Sequence, residues 1–259
     1  MEKQMIVADG QELECLWVGP EDGPGPVLVF LHEGLGCIDM WKDFPARLCN
    51  RAGLRGLVFS RAGYGRSQAC DLPWPVSYMH HQAQVVLPQV LDAAGIEHAI
   101  LVGHSDGGSI ALVHAGSDVS GRVAAVVTLA AHVFNEDICV RSIEAAKVAY
   151  DEGDLRARLK KYHGNNVDIA FRGWNDVWLC DGFLDWNIEE FLPNIKVPVL
   201  AIQGKDDPYG TVRQVDGIVA GVGARAEKKM IADCGHSAHL QQGDETLAVI
   251  ERFVEKAVI

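Results

Sequence analysis

HAILVGHSDGGSIALVHA, residues 98–115, joins two structural periods across one short turn. His98 to Val102 is apolar after its first residue and predicts a buried strand. Small and apolar residues from Asp106 to about Ala115 predict a helix. Between them, Gly103-His104-Ser105-Asp106-Gly107 must turn the chain so tightly that Ser105 adopts a strained backbone conformation, leaving no room for side chains at 103 and 107. Gly-x-Ser-x-Gly is a short motif; the strand before it, the helix after it and the further small residue Gly108 give it weight. Ser105 also falls at the helix N-terminus, where unpaired N–H groups stabilise developing negative charge.

Outward from this turn, short apolar stretches alternate with amphipathic ones, the pattern of an α/β fold. Strands are predicted at Gln4 to Ala8, Glu12 to Val18, Val27 to Leu31, Arg55 to Ser60, Val123 to Ala130, Val197 to Ile202 and Ala226 to Ile231. VLVFL at 27–31, bounded by Gly and Pro, reads as a strand buried on both faces. Helical spacing runs through IDMWKDFPARLCNRAG (38–53), through Ser77 to Ala94 with a kink expected at Pro88, and through LAVIERFVEKAV at the end of the chain. From about Phe134 to Glu190 strand signals vanish. Helical spacing dominates there, and Tyr150, Tyr162, Phe171, Trp174, Trp178, Phe183 and Trp186 concentrate. An insertion of this kind, entered after one strand and left before the next, predicts a cap whose aromatics wall an apolar pocket.

A serine hydroxyl needs a base, and the base needs a carboxylate to orient it. Of ten histidines, His236 in ADCGHSAHL follows a predicted strand end, where side chains at the carboxyl edge of a sheet converge. His239 is its local rival, and His80, His81 and His114 lie in helical patterns. His104 sits within the turn and is expected to pack beneath it. For the acid, VPVLAIQGKDDPYG ends a strand on two aspartates; Asp207 is the choice, with Asp206, Asp137 and Glu136 as alternatives.

Lys and Arg number 23 against 35 Asp and Glu, a net charge of −12, and no basic run interrupts it, which argues against nucleic-acid partners. The opening MEKQMIVADGQELE has no basic segment followed by an apolar one, and nowhere do about 18 apolar residues run uninterrupted, so no membrane association and a cytoplasmic site are expected. The seven cysteines are scattered without a Cys-x-x-Cys pair, which fits reduced thiols rather than disulfides or a zinc site.

The order Ser105, Asp207, His236, each beyond a strand end, resembles the α/β-hydrolase superfamily over nearly the whole chain. His32-Glu33-Gly34-Leu35-Gly36 is similar to the family's His-Gly loop, and Ser60-Arg61-Ala62-Gly63-Tyr64-Gly65-Arg66-Ser67 to its Asp-x-x-Gly-x-Gly-x-Ser segment. Among relatives, the chain looks most like capped, cofactor-free esterases, lactonases and meta-cleavage-product hydrolases. The resemblance implies a mostly parallel eight-stranded sheet flanked by helices, with core segments at 1–133 and 191–259 and a helical cap at 134–190. It implies a catalytic Ser105, Asp207 and His236, an oxyanion hole from the N–H groups of Gly34 and Asp106, and no metal or organic cofactor. Serine at 105, where some relatives carry an aspartate nucleophile, argues against haloalkane dehalogenase or epoxide hydrolase chemistry. The expected activity is hydrolysis of a small, neutral or weakly polar acyl substrate. Carbon–carbon bond cleavage, lactone or thioester hydrolysis, acyl transfer and ligand binding on a hydrolase scaffold are alternatives. A pocket is expected from Glu33, Leu35, His132, Trp174, Trp178 and Trp186. Glu33 and Asp106 put two carboxylates beside the oxyanion loop, and a homodimer is compatible with the sequence.

Overall fold

The computed structural model describes residues 2–118 and 120–258. Eight strands form one sheet: β1 (Gln4–Ala8), β2 (Gln11–Val18), β3 (Val27–Leu31), β4 (Gly56–Phe59), β5 (Ala99–His104), β6 (Val123–Leu129), β7 (Val199–Gly204) and β8 (Ala226–Ile231). Their spatial order is β1-β2-β4-β3-β5-β6-β7-β8. The β1–β2 and β2–β4 pairs are antiparallel, and every other neighbouring pair is parallel.

The apolar runs follow from burial on both faces. In β3, Val29 and Leu31 join a core with Ile110 and Ala111 of helix α4, whereas Leu28 and Phe30 join a second core with Phe44 and Leu48 of helix α1. Helix α1 spans Phe44–Ala52 and α4 spans Asp106–Ser117. The connection after β3 therefore leaves over one face and that after β5 over the other. The crevice between these two neighbouring strand ends is where an open α/β sheet collects ligands.

Two helical predictions are modified by backbone geometry. The 38–53 stretch is split into a 3-10 turn at Ile38–Trp41 and α1, with Lys42 between them at φ 56° and Pro45 in the first helical turn. Proline is accommodated there because the first N–H groups of a helix have no intrahelical partner. The second helical run comprises α2 (Tyr78–His81), a π-helical turn at Gln82–Val86 and α3 (Leu87–Ala93). The wide turn ends at Val86, two residues before Pro88, which has no N–H to donate and sits in the first turn of α3.

Between β6 and β7 the chain forms α5 (Asp137–Asp151), α6 (Leu155–His163), α7 (Val167–Trp178) and α8 (Asp181–Leu184). An antiparallel bridge between Phe134 and Asn187, with Ile188 N–H donating to the Val133 carbonyl at 2.8 Å, closes the base of this insertion. Helices α9 (Val212–Val222), α10 (Ala238–Gln241) and α11 (Gly243–Val258) complete the chain.

Candidate active site

Ser105 lies between β5 and α4 at φ 51°, ψ −118°, the strained conformation expected of the turn. A Cβ at Gly103 would strike the Gly107 carbonyl, and one at Gly107 would strike the backbone of Leu31 and His32. The strain is held by the sheet: Ser105 N–H donates to the Leu129 carbonyl at 2.8 Å, and the Ser105 carbonyl accepts from Gly108 N–H at 2.8 Å.

His236 comes from the loop after β8 and Asp207 from the loop after β7. Backbone hydrogen bonds from Lys205 to Ile231 (2.8 Å) and from Asp206 to Cys234 (2.9 Å) hold these loops together. His236 Nδ1 lies 2.9 Å from Asp207 Oδ1 and 3.0 Å from Oδ2. Asp207 also accepts from Tyr209 N–H at 2.9 Å and Gln203 Nε2 at 3.2 Å. Burial pushes the Asp207 carboxyl up, but the hydrogen bond and charge of His236 and the Tyr209 N–H outweigh it and leave the carboxyl below its usual range.

The rival acids and bases are placed elsewhere. Asp206 and Asp137 are exposed. The Glu136 carboxylate accepts from Thr211 and Gln214 around the start of α9. His239 is buried between Trp41 and His104, with ring centroids 4.9 and 4.7 Å away. His114 donates from Nδ1 to the Ala83 carbonyl at 2.7 Å, and His81 pairs with Asp9 on the surface.

Ser105 and His236 line one cavity of about 250 Å³ with Glu33, Gly34, Leu35, Asp106, His132, Trp174 and Trp178. Trp186 does not line it, which corrects the sequence expectation. Trp174 and Trp178 are four residues apart and share one face of α7. Trp186 follows α8, stacks on Phe183 at 5.1 Å and packs behind Trp178 at 5.7 Å. Tyr150 and Phe171 likewise stack on each other, and Tyr162 pairs with Lys42. Two of the seven aromatics of the insertion thus reach the cavity. Met40, Cys139, Ile143, Leu155, Leu159 and Tyr209 also line it; ordinary helical apolar spacing gave no signal to separate them from core residues.

The Gly34 carbonyl accepts from Tyr64 Oη at 2.9 Å, and a Cβ at 34 would run into the Trp174 indole. His163 ties the insertion to the same loop by donating from Nε2 to the Leu35 carbonyl at 2.9 Å. Glu33 Oε2 lies 3.4 Å from His104 Nδ1, whose other ring nitrogen donates to the His236 carbonyl at 2.9 Å. Burial pushes the Glu33 carboxyl up, but His104 dominates and holds it well below the carboxylate range. Asp106 is fully buried and turned toward Tyr78 and Arg61 rather than left as a free charge beside Ser105. Burial raises its pKa, with Arg61 and the Tyr78 hydroxyl partly offsetting that rise.

Residues 28–249 match the family model described as the alpha/beta hydrolase family. The chain belongs to that family. One curated relative of this hydrolase, Epoxide hydrolase 2 of Siraitia grosvenorii, is 29% identical over 124 residues, which is 47% of this chain and 37% of that protein. The match thus spans little more than a third of the relative's length. Solved structures of similar fold include a thermophilic esterase from Thermogutta terrifontis (TM-score 0.76, 18% identity, 100% of both chains). Another is the enol-lactonase from Burkholderia xenovorans (TM-score 0.74, 18% identity, 97% of this chain and 100% of the other). Among the described residues, no group of three or more His, Cys, Asp or Glu side chains is placed to hold a metal, and no helix is long and apolar enough to cross a membrane.

Proposed function

We propose that this α/β hydrolase cleaves small carboxylic esters through an acyl-enzyme formed on Ser105. The observation that carries the reading is a strained serine sharing a cavity with a histidine whose Nδ1 is held by a buried carboxylate. His236 takes the Ser105 proton as the hydroxyl attacks the ester carbonyl, and Asp207 fixes the imidazole orientation and stabilises its cation. The N–H groups of Gly34 and Asp106 receive the oxyanion, and the α4 N-terminus adds a favourable dipole. His236 then protonates the departing alcohol, activates water against the acyl-enzyme, and the acid leaves.

Serine at 105 supports an acyl route over the aspartyl-ester route of the epoxide hydrolases. The cavity is below the usual range of about 300–1,000 Å³ for drug-sized ligands, which favours a short acyl chain. Its walls at Leu35, Ile143, Leu159, Trp174 and Trp178 are apolar, with Arg158 and Glu33 as the charged residues of the lining beside Asp106. The test is Ser105→Ala with 4-nitrophenyl acetate and butyrate. Loss of turnover with unchanged folding is expected; wild-type turnover in the variant would overturn the proposal.

A further inference from the structure

Two loops that leave the sheet over opposite faces must present Gly34 and Asp106 N–H groups to one oxyanion. The loops meet directly where Gly107 packs on the Leu31 and His32 backbone and where Glu33 approaches His104. A further link is a side chain from a third loop, that after β4. Arg61 is 2% exposed and donates from Nη1 to the His32 carbonyl at 2.6 Å and from Nη2 to the Glu33 carbonyl at 3.1 Å. Its own N–H donates to His32 Nε2 at 3.0 Å, while His32 Nδ1 donates to the Glu33 carbonyl at 2.7 Å, so one histidine tautomer is fixed. The same guanidinium stands 4.0 Å from Asp106 Oδ2. That oxygen accepts from Tyr78 Oη at 2.5 Å, and Tyr78 Oη accepts from Trp178 Nε1 at 3.0 Å.

We propose that Arg61 and Asp106 are a positioning pair that holds the two halves of the oxyanion site in register and ties them, through Tyr78, to the cavity wall at Trp178. This rests on Ser105 being the nucleophile. Stability alone is a poor account of the pair, because burying both charges is costly and an apolar pair of similar volume is often as stable. Asp106 Oδ1 has no hydrogen-bond partner in the protein, so the carboxylate is not even fully satisfied. The pair instead supplies direction: forked donation from Arg61 fixes the two carbonyls that precede the Gly34 N–H, and the Asp106 carboxylate anchors the first residue of α4.

The charges make the two partners unequal. Without Arg61, the buried Asp106 carboxylate would keep only Tyr78 as a partner, leaving a charge without its counterion next to the reacting serine; without the Asp106 charge, Arg61 would still hold the Gly34 loop. Arg61→Met is therefore more harmful than Asp106→Asn, and adding Asp106→Asn to Arg61→Met relieves part of the loss.

The experiment measures kcat, KM, thermal midpoint and phenylboronic acid inhibition for these three proteins and for Arg61→Lys, in the full chain with 4-nitrophenyl butyrate. Arg61→Met is expected to lower kcat about 10- to 100-fold, somewhat less than deleting an oxyanion donor, with boronate affinity falling in parallel. KM should stay within about threefold, because the interaction is made in the transition state. Arg61→Lys, which keeps the charge and loses the fork, should fall between and serves if Arg61→Met does not fold. Near-wild-type kcat and boronate affinity in a destabilised Arg61 variant would overturn the proposal, as would a double variant no better than Arg61→Met. Fluorophosphonate labelling separates the two readings. An unlabelled wild-type Ser105 defeats the serine-hydrolase reading, whereas a labelled wild type with unaffected Arg61 variants defeats this inference alone.

Discussion

Replacing His239 with phenylalanine should flatten the protein's loss of stability in mild acid. Burial between Trp41, Phe44 and His104, with a smaller contribution from the neighbouring His104 charge, pushes the His239 pKa down to about 3. His132 is lowered to about 4 by burial and then by His236. The unfolded chain would protonate both near the ordinary histidine value of about 6.5. Between that value and the folded pKa, the unfolded state binds more protons, so stability rises with pH and is lost on acidification. The contribution is fully present above about pH 6.5, and each histidine has cost about 2 kcal/mol by about pH 5, with a limiting slope near 1.4 kcal/mol per pH unit. Two such residues remove a large fraction of a typical stability of about 5–15 kcal/mol. Phenylalanine keeps the ring packed against Trp41 and Phe44, and His239 Nδ1 has no hydrogen-bond partner to lose. Urea unfolding at several pH values between about 5 and 7 gives the slope directly. His239→Phe should lower it by about one proton's worth; an unchanged slope with an unchanged m-value would refute the account of His239 as a buried neutral imidazole.

Asp207→Asn should lower kcat by about three to four orders of magnitude, because it withdraws the carboxylate that orients His236 and stabilises its cation. Glu136→Gln, which disturbs only the start of α9, should retain wild-type turnover; the reverse pattern under the same esterase assay would reassign the acid. Trp178→Ala and Trp186→Ala separate cavity wall from packing. The first should shift preference toward longer acyl esters and change KM. The second should lower the unfolding midpoint, at a cost of about 3–5 kcal/mol, while leaving acyl-length preference intact.

β1, β3 and β8 coincide with their predicted spans, and the other five lie within two residues of theirs at each end; burial on both faces explains this for the central strands such as β3, whereas β1 and β8 at the sheet edges are largely exposed or half-buried and were legible from their position between turn signals. The turn at 103–107 was legible for a related reason, since few sequences tolerate such close backbone contact. Helix continuity was harder to read. The stretch 138–163 has unbroken helical spacing, yet α5 and α6 are separate because 152–154 leave the helix around Gly153. The aromatic cluster failed as a pocket predictor at Trp186 because composition cannot tell the row facing a cavity from the row behind it. Least legible were the pairings of Arg61 with Asp106 and of Glu33 with His104. Each joins residues from separate strand ends, and no local pattern specifies which charge meets which.

Those pairings change what the acidic sequence means at the site. The carboxylates of Glu33 and Asp106 line the cavity with Ser105, and that of Asp207 holds His236; in the proposed reaction, a free negative charge near the oxyanion would oppose the chemistry in a cavity where water screens poorly. Each has its own basic partner: Asp207 meets His236 at 2.9 Å, Glu33 meets His104 at 3.4 Å, and Asp106 meets Arg61 at 4.0 Å while accepting from Tyr78. These partners also touch the backbone of the proposed base and oxyanion loop: His104 donates to the His236 carbonyl and Arg61 to the carbonyls of His32 and Glu33. In the proposed mechanism, the side chains that partner the acids are therefore also the ones that hold the reacting groups in place. A neutral glycine or methionine at 33 or 106 would remove the repulsion but also the anchor for its partner. The acidic residues beside the turn are better understood as counterions that lock His104 and Arg61 in place than as a field selecting substrate from a distance.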